Sequence, residues 1–181
     1  MILYYSPGAC SLADHIALHE ADMKFDLVKV DLRTHQLEDG RAFTEINPKG
    51  YVPALQFDDG EVLTENIAIL AMIADKYPAL MAPGQFGRYR LLEMLAFIAT
   101  EIHKAFKPLF SPDAVEAEKK NAAVTIGKNL DFIATQMTGT YLFGDNLTVA
   151  DAYLFVMLLW ATNRMRSRPT VHVALKHEGL I

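Results

Sequence analysis

Ile2-Leu3-Tyr4-Tyr5-Ser6-Pro7-Gly8-Ala9-Cys10-Ser11 opens the chain with a β-rich run, a turn and the entry to a helix. The strand stops at Ser6-Pro7-Gly8, and from Ser11 to Ala21 apolar residues recur at Leu12, Ile16 and Ala17, a helical spacing. Strand character returns from Phe25 to Val30. After a polar stretch that reads as a poor helix come Pro53-Ala54-Leu55-Gln56-Phe57 and Glu61-Val62-Leu63. Asp58-Asp59-Gly60 between them is a hairpin signal. Glu65 to Tyr77 is helical again and ends before Pro78. The order βαβ, weak helix, ββα predicts a small α/β domain over residues 1–78.

Residues 79–87 are a Pro/Gly-rich connector, and beyond them strand patterns vanish. Arg88 to Phe110, Asp113 to Met137 and Val149 to about Asn163 carry helical periodicity, with stops at Ser111-Pro112 and Gly144-Asp145. A short helix is expected after Arg168-Pro169. Residues 88–181 therefore read as an all-α domain.

The 181 residues are 51% apolar, enough for a real core, and the net charge of −5 is spread without a basic patch for nucleic acid. No apolar run approaches the ~20 residues of a membrane span, and the first residues lack a basic leader. One cysteine excludes an internal disulfide and a multi-thiolate metal site. The expectation is a cytoplasmic chain with no nucleic-acid or membrane partner and no metal.

Several stretches carry residues that could do chemistry or cap helices. Cys10 lies at or beside a predicted helix N-terminus, where free N–H groups and the dipole favour a thiolate; a lone cysteine is equally compatible with a small buried hydrophobe. Ser11 to Asp14 fits a capping box, and Asp14 would oppose the thiolate. A proline opening a strand, as Pro53 does after Val52, can hold a cis bond that leaves Val52 N–H and C=O for an extended ligand, or can mark an ordinary turn. Asn66 is a good N-cap, and with Glu65 could instead hold the charged end of a ligand. His103 shares a 4-3-4 stripe with Leu92, Ala96 and Ala99, facing a cleft, a partner or a neighbouring helix. Thr148 and Asp151 fit a capping box of structural purpose. His15 and His19, at i and i+4, have no third ligand nearby and read as helix-surface residues.

Taken together, YYSPGACSLADHIAL, NPKGYVPALQFDDGEVLTEN and GDNLTVADAYLF resemble the glutathione S-transferase family, and its bacterial beta class closely, over nearly the whole chain. The resemblance implies a thioredoxin-like α/β N-terminal domain, an all-α C-terminal domain and a homodimer. It implies conjugation of glutathione, as co-substrate, to a small hydrophobic electrophile in detoxification, with no cofactor. Cys10 and His103 become the catalytic pair, and Cys10 adds thiol–disulfide or peroxidase chemistry. Tyr5, Ser11, His35, Val52, Pro53, Glu65 and Asn66 become glutathione-binding residues, with Val52–Pro53 cis and strained dihedrals near Glu65. A non-catalytic binding or regulatory protein of the same fold is the alternative, and a specialised dehalogenase or isomerase a third reading.

The sequence departs from the family in four places. His35 stands where lysine is usual, and Asn66 where serine or glycine is. Met94 and Ala96 replace a Trp and an Asn, so the second-substrate pocket should differ. Trp160-Ala161-Thr162-Asn163 runs into Arg164 where relatives place a loop and most of a helix. Removing a packed helix costs more stability than a small domain usually has, which favours an omitted segment and a chain break there.

Overall fold

The structure, a computed structural model, describes residues 1–166 and Lys176. The short helix expected after Pro169 lies outside the described residues.

Strand β1 (Ile2–Tyr5) lies at the centre of a five-stranded mixed sheet because its alternate residues serve two cores. Leu3 enters the larger core on one face and Tyr4 a smaller one on the other, with Val30, Phe43 and Val52. Helix α1 (Leu12–Glu20) leads to β2 (Asp26–Asp31), parallel to β1, and the edge strand β3 (Gln36–Leu37) pairs antiparallel with β2. The polar stretch forms only a 3-10 turn, Phe43–Glu45, anchored by the buried Phe43. β4 (Ala54–Gln56) and β5 (Val62–Thr64) follow as the expected hairpin, so the order is β3-β2-β1-β4-β5. Its turn closes through Gly60 N–H to Phe57 C=O at 3.0 Å, and Gly60 takes φ 92°, which costs glycine nothing. Helix α2 (Asn66–Lys76) completes this N-terminal mixed-sheet domain.

The C-terminal domain is all-helical. The segment read as one helix from Arg88 to Phe110 is helical throughout but changes winding. It is α-helical over Gly87–Phe97 (α3), π-helical over Ile98–His103, 3-10 over Lys104–Phe106 and α-helical again over Lys107–Phe110 (α4). Its buried face is Leu91, Leu95, Ile98, Ile102 and Phe106. The expected stripe of Leu92, Ala96, Ala99 and His103 runs one residue to the side of that face. Ala96 is consequently exposed, while its neighbours Leu95 and Ile98 are consumed by the core. Helix α5 (Glu116–Gln136) matches its reading. Helix α6 (Val149–Arg166) covers the segment read as helical from Val149 to about Asn163.

One apolar core joins the two domains, from Leu3, Leu18 and Leu55 through Ile69 and Ile73 to Leu91, Ile98, Tyr153 and Met157. It fixes the walls of the cleft between them, because α1 and α2 pack directly on α6. No helix among the described residues is long and apolar enough to cross a membrane.

The three capping readings divide. Asp151 accepts from Thr148 N–H at 2.8 Å and Thr148 Oγ1 at 2.7 Å, and also from Leu142 N–H at 2.8 Å, so that box forms. Ser11 caps nothing: its hydroxyl is buried against the backbone of Ser6, and Asp14 turns inward instead. Asn66 is the first residue of α2 rather than its cap; Glu65 takes the cap position at φ 77° and makes no side-chain cap bond.

Candidate active site

The loop after β1 is held from both ends. Ala9 N–H bonds to Ser6 C=O at 3.0 Å, Gly8 takes φ 72°, and Trp160 Nε1–H from α6 donates to Gly8 C=O at 2.7 Å. Cys10 is thereby placed ahead of α1, half-buried, with its thiol donating to Val52 C=O at 3.5 Å. Val52 precedes Pro53 through a cis bond, as expected, but its carbonyl is engaged by Cys10 rather than left open.

Burial pushes the Cys10 thiol up to about 12, with the Asp14 carboxyl adding to the rise when ionised. The N–H groups of Cys10 and Ser11 do favour the thiolate, yet burial outweighs them. Against the thiolate that the helix N-terminus alone would favour, burial favours the neutral thiol at rest. Neither Asp14 oxygen has a hydrogen-bond partner among the described residues, and burial holds its carboxyl well above the ordinary carboxylate range.

Across the cleft stands His103, the last residue of the π-helical segment. A π-turn displaces the residues that follow it and frees backbone groups; here Asn129 Nδ2 on α5 donates to Glu101 C=O at 2.8 Å. His103 Nδ1 lies 2.6 Å from the Tyr153 hydroxyl on α6. Burial lowers the pKa of His103 and raises that of Tyr153, so both are neutral near pH 7.

Two adjoining cavities meet at Cys10, Val52 and His103. The smaller, about 300 Å³, also reaches Pro53, Glu65, Asn66 and Tyr153. Asn66 Nδ2 donates to Cys10 C=O at 3.3 Å, while its buried Oδ1 has no partner among the described residues. Glu65 is paired with Lys49 and accepts from the Tyr51 hydroxyl at 2.9 Å; the Lys49 bond, then the Tyr51 bond, lower its pKa. The larger cavity, about 710 Å³, has an aromatic wall of Phe106, Phe110 and Trp160, with ring centroids 5.0–6.0 Å apart.

The structure thus brings together Cys10, Val52, Pro53, Glu65, Asn66 and His103. It does not bring Tyr5, Ser11 or His35 to either cavity wall. Tyr5 packs toward His15, their ring centroids 6.2 Å apart, and Ser11 is wholly buried. His35 bonds through Nδ1 to Gly50 C=O at 2.8 Å, with φ 54°. Sequence reasoning missed Tyr51, Tyr153 and the aromatic wall. A tyrosine within an apolar helix needs a hydroxyl partner, and that signal could have found Tyr153.

The glutathione S-transferase N-terminal domain family matches residues 9–76, and the glutathione S-transferase C-terminal domain family matches residues 97–170. Glutathione S-transferase GstA of Escherichia coli O157:H7 is 43% identical over 200 aligned residues, covering 99% of this chain and 100% of that protein. Glutathione S-transferase GST-4.5 of Xanthomonas campestris is 35% identical over 207, with 99% and 100% covered. Among solved structures, a sphingomonad glutathione S-transferase complexed with glutathione superposes with a TM-score of 0.81 at 44% identity, all of both chains covered. A beta-class glutathione S-transferase from Sphingomonas chungbukensis gives the same values.

Proposed function

The chain belongs to the glutathione S-transferase family, and from that premise we propose that it joins glutathione to small apolar electrophiles in the cleft between Cys10 and His103. The observation that carries this reading is the convergence of Cys10, the Val52 backbone, Glu65, Asn66 and His103 on one cleft that opens onto an aromatic wall. The Val52 backbone would pair with the cysteinyl part of glutathione. Glu65 would take its ammonium group, and Asn66 a carboxylate. The sulfur then lies between Cys10 and His103, facing the apolar cavity. A sphingomonad relative solved with glutathione supports glutathione as the ligand.

In the reaction the glutathione thiol loses its proton, the thiolate attacks the electrophilic carbon, and the leaving group departs. Preorganised donors near the sulfur favour the thiolate. The neutral Cys10 S–H becomes such a donor once glutathione takes its place at the Val52 carbonyl. So is His103 Nε2–H, if the Tyr153 hydroxyl donates to Nδ1 and fixes that tautomer. A thiol that stays protonated suits this role better than attack by Cys10 itself. Thiol–disulfide exchange is then the slower route: Cys10 loses its proton and attacks the disulfide of oxidised glutathione, releasing one glutathione thiolate.

We further assign the chain to the beta class, as a cytoplasmic homodimer. A beta-class structure 44% identical to it supports the class. Phe86 and Tyr89 at the start of α3, and Val124 and Phe132 on α5, remain exposed, as an unpartnered interface would leave them. Residues 1–78 would hold glutathione, with 79–87 as linker and 88–181 supplying the second substrate's pocket and the dimer contacts. His35, with Nδ1–H committed to Gly50, would meet the glycyl carboxylate through Nε2 only as the imidazolium.

Retention on immobilised glutathione, followed by a conjugation assay with chlorodinitrobenzene, tests the reading. Retention with turnover is expected. Retention without turnover on any aromatic or alkyl electrophile would favour a binding protein, and no retention would remove the glutathione site.

A further inference from the structure

We propose that His15 and His19 form a two-ligand site for a divalent transition-metal ion on the outer face of α1. The two residues lie one turn apart, and their Nε2 atoms approach to 3.1 Å. Metal–imidazole bonds of ~2.0–2.1 Å spanning that separation meet at an angle of roughly 100°, between the angles of octahedral and tetrahedral centres. With one ring donating Nε2–H to the other's lone pair, an ion entering the site binds both Nε2 atoms as the donor ring gives up that proton to solvent and takes one at Nδ1, so both ligands stay neutral imidazoles.

The rings are also held in place. The Phe25 ring packs nearly edge-on against both, with centroids 5.6 Å from His15 and 5.0 Å from His19. Tyr5 stands beside His15, itself half-buried, while His19 is exposed to incoming ions. Side chains fixed before binding lose less rotamer freedom when the ion arrives. No group of three or more metal-ligating side chains occurs among the described residues, so water fills the other positions. Imidazole pairs suit copper, nickel and zinc rather than magnesium or calcium. The site lies outside both cavities and needs no part of the transferase chemistry. Its effect is to clip one turn of the helix that follows Cys10.

Calorimetric titration of the full chain with Ni²⁺, and separately Zn²⁺, near neutral pH tests the site. The same titration on the Cys10→Ser form removes the one competing thiol. One ion per chain at sub-millimolar concentration is expected in both forms. His19→Ala, at an exposed position, should weaken binding by ~10-fold or more, the loss of roughly 1.4 kcal/mol or more of chelate contact. Ni²⁺ should raise the melting temperature of the parent and not of that variant. With Cu²⁺, electron paramagnetic resonance should show two equatorial imidazole nitrogens in the parent and one in His19→Ala. Unchanged affinity in His19→Ala, binding lost with Cys10→Ser, or no uptake below millimolar ion would each overturn the proposal.

Discussion

At Cys10 two N–H groups favour a thiolate, while burial and the Val52 carbonyl favour the thiol, and burial prevails. Native Cys10 should therefore react with a thiol probe at pH 8 on the order of 100-fold or more slower than a free cysteine. Labelling at the free-cysteine rate would remove the neutral-donor role. Asp14, below it, bears on stability. Its folded pKa is raised by burial, so it holds a proton that the unfolded chain releases. That contribution is fully present below the unfolded carboxylate pKa and is lost as pH rises through the folded one. Asp14→Asn, isosteric with the protonated acid, should flatten the decline of melting temperature from pH 5 to pH 8. A decline equal to that of the parent would show that Asp14 is not the group responsible. At His103, removing the Tyr153 hydroxyl deletes one hydrogen bond of ~1 kcal/mol. Tyr153→Phe should lower kcat about fivefold with KM for glutathione nearly unchanged, and the pH profile of kcat should move. A change confined to KM would assign Tyr153 to binding instead.

At the scale of elements, the start of α6 depends on a single carboxylate. Asp151 accepts three hydrogen bonds, from Thr148 N–H, the Thr148 hydroxyl and Leu142 N–H, and so ties the preceding loop to the helix. Asp151→Ala should cost ~2 kcal/mol, about 4–8 °C in melting temperature for a chain of this size, and Asp151→Asn less. A shift under 1 °C for the alanine variant would deny the box its role. This box was legible because all its partners lie within ten residues. The Ser11–Asp14 box was misread because the same local pattern was overridden by packing: Ser11 turned to Ser6, and Asp14 into the core. The π-helical winding before His103 left no mark in the apolar spacing, since buried residues recur at Leu91, Leu95, Ile98 and Ile102 as they would in an ordinary helix. Its sign is a tertiary one, the Asn129 side chain meeting the Glu101 carbonyl.

For the whole molecule, the two domains are tied at the loop that precedes Cys10 by Trp160, the sole tryptophan, bonded to Gly8 C=O and packed against Phe106 and Phe110. Glutathione should change its fluorescence on binding, and Trp160→Phe should raise KM for an aromatic electrophile more than for glutathione. An equal rise in both would place Trp160 in loop positioning alone. The exposed apolar residues of α3 and α5 call for sedimentation at micromolar concentration, where a dimer is expected and a monomer would leave those residues unexplained. The sequence by itself determined the βαβ–ββα order, the hairpin at Asp58-Asp59-Gly60, the helical second half and the family resemblance. Those rest on periodicity and turn chemistry, which act between near neighbours along the chain. Only the tertiary structure decided that burial favours the Cys10 thiol, that Asp14 is buried with no partner among the described residues, and that Tyr153 and Trp160 of the aromatic wall face His103. Each depends on how much water is excluded by residues far away in sequence, and desolvation has no local pattern to read.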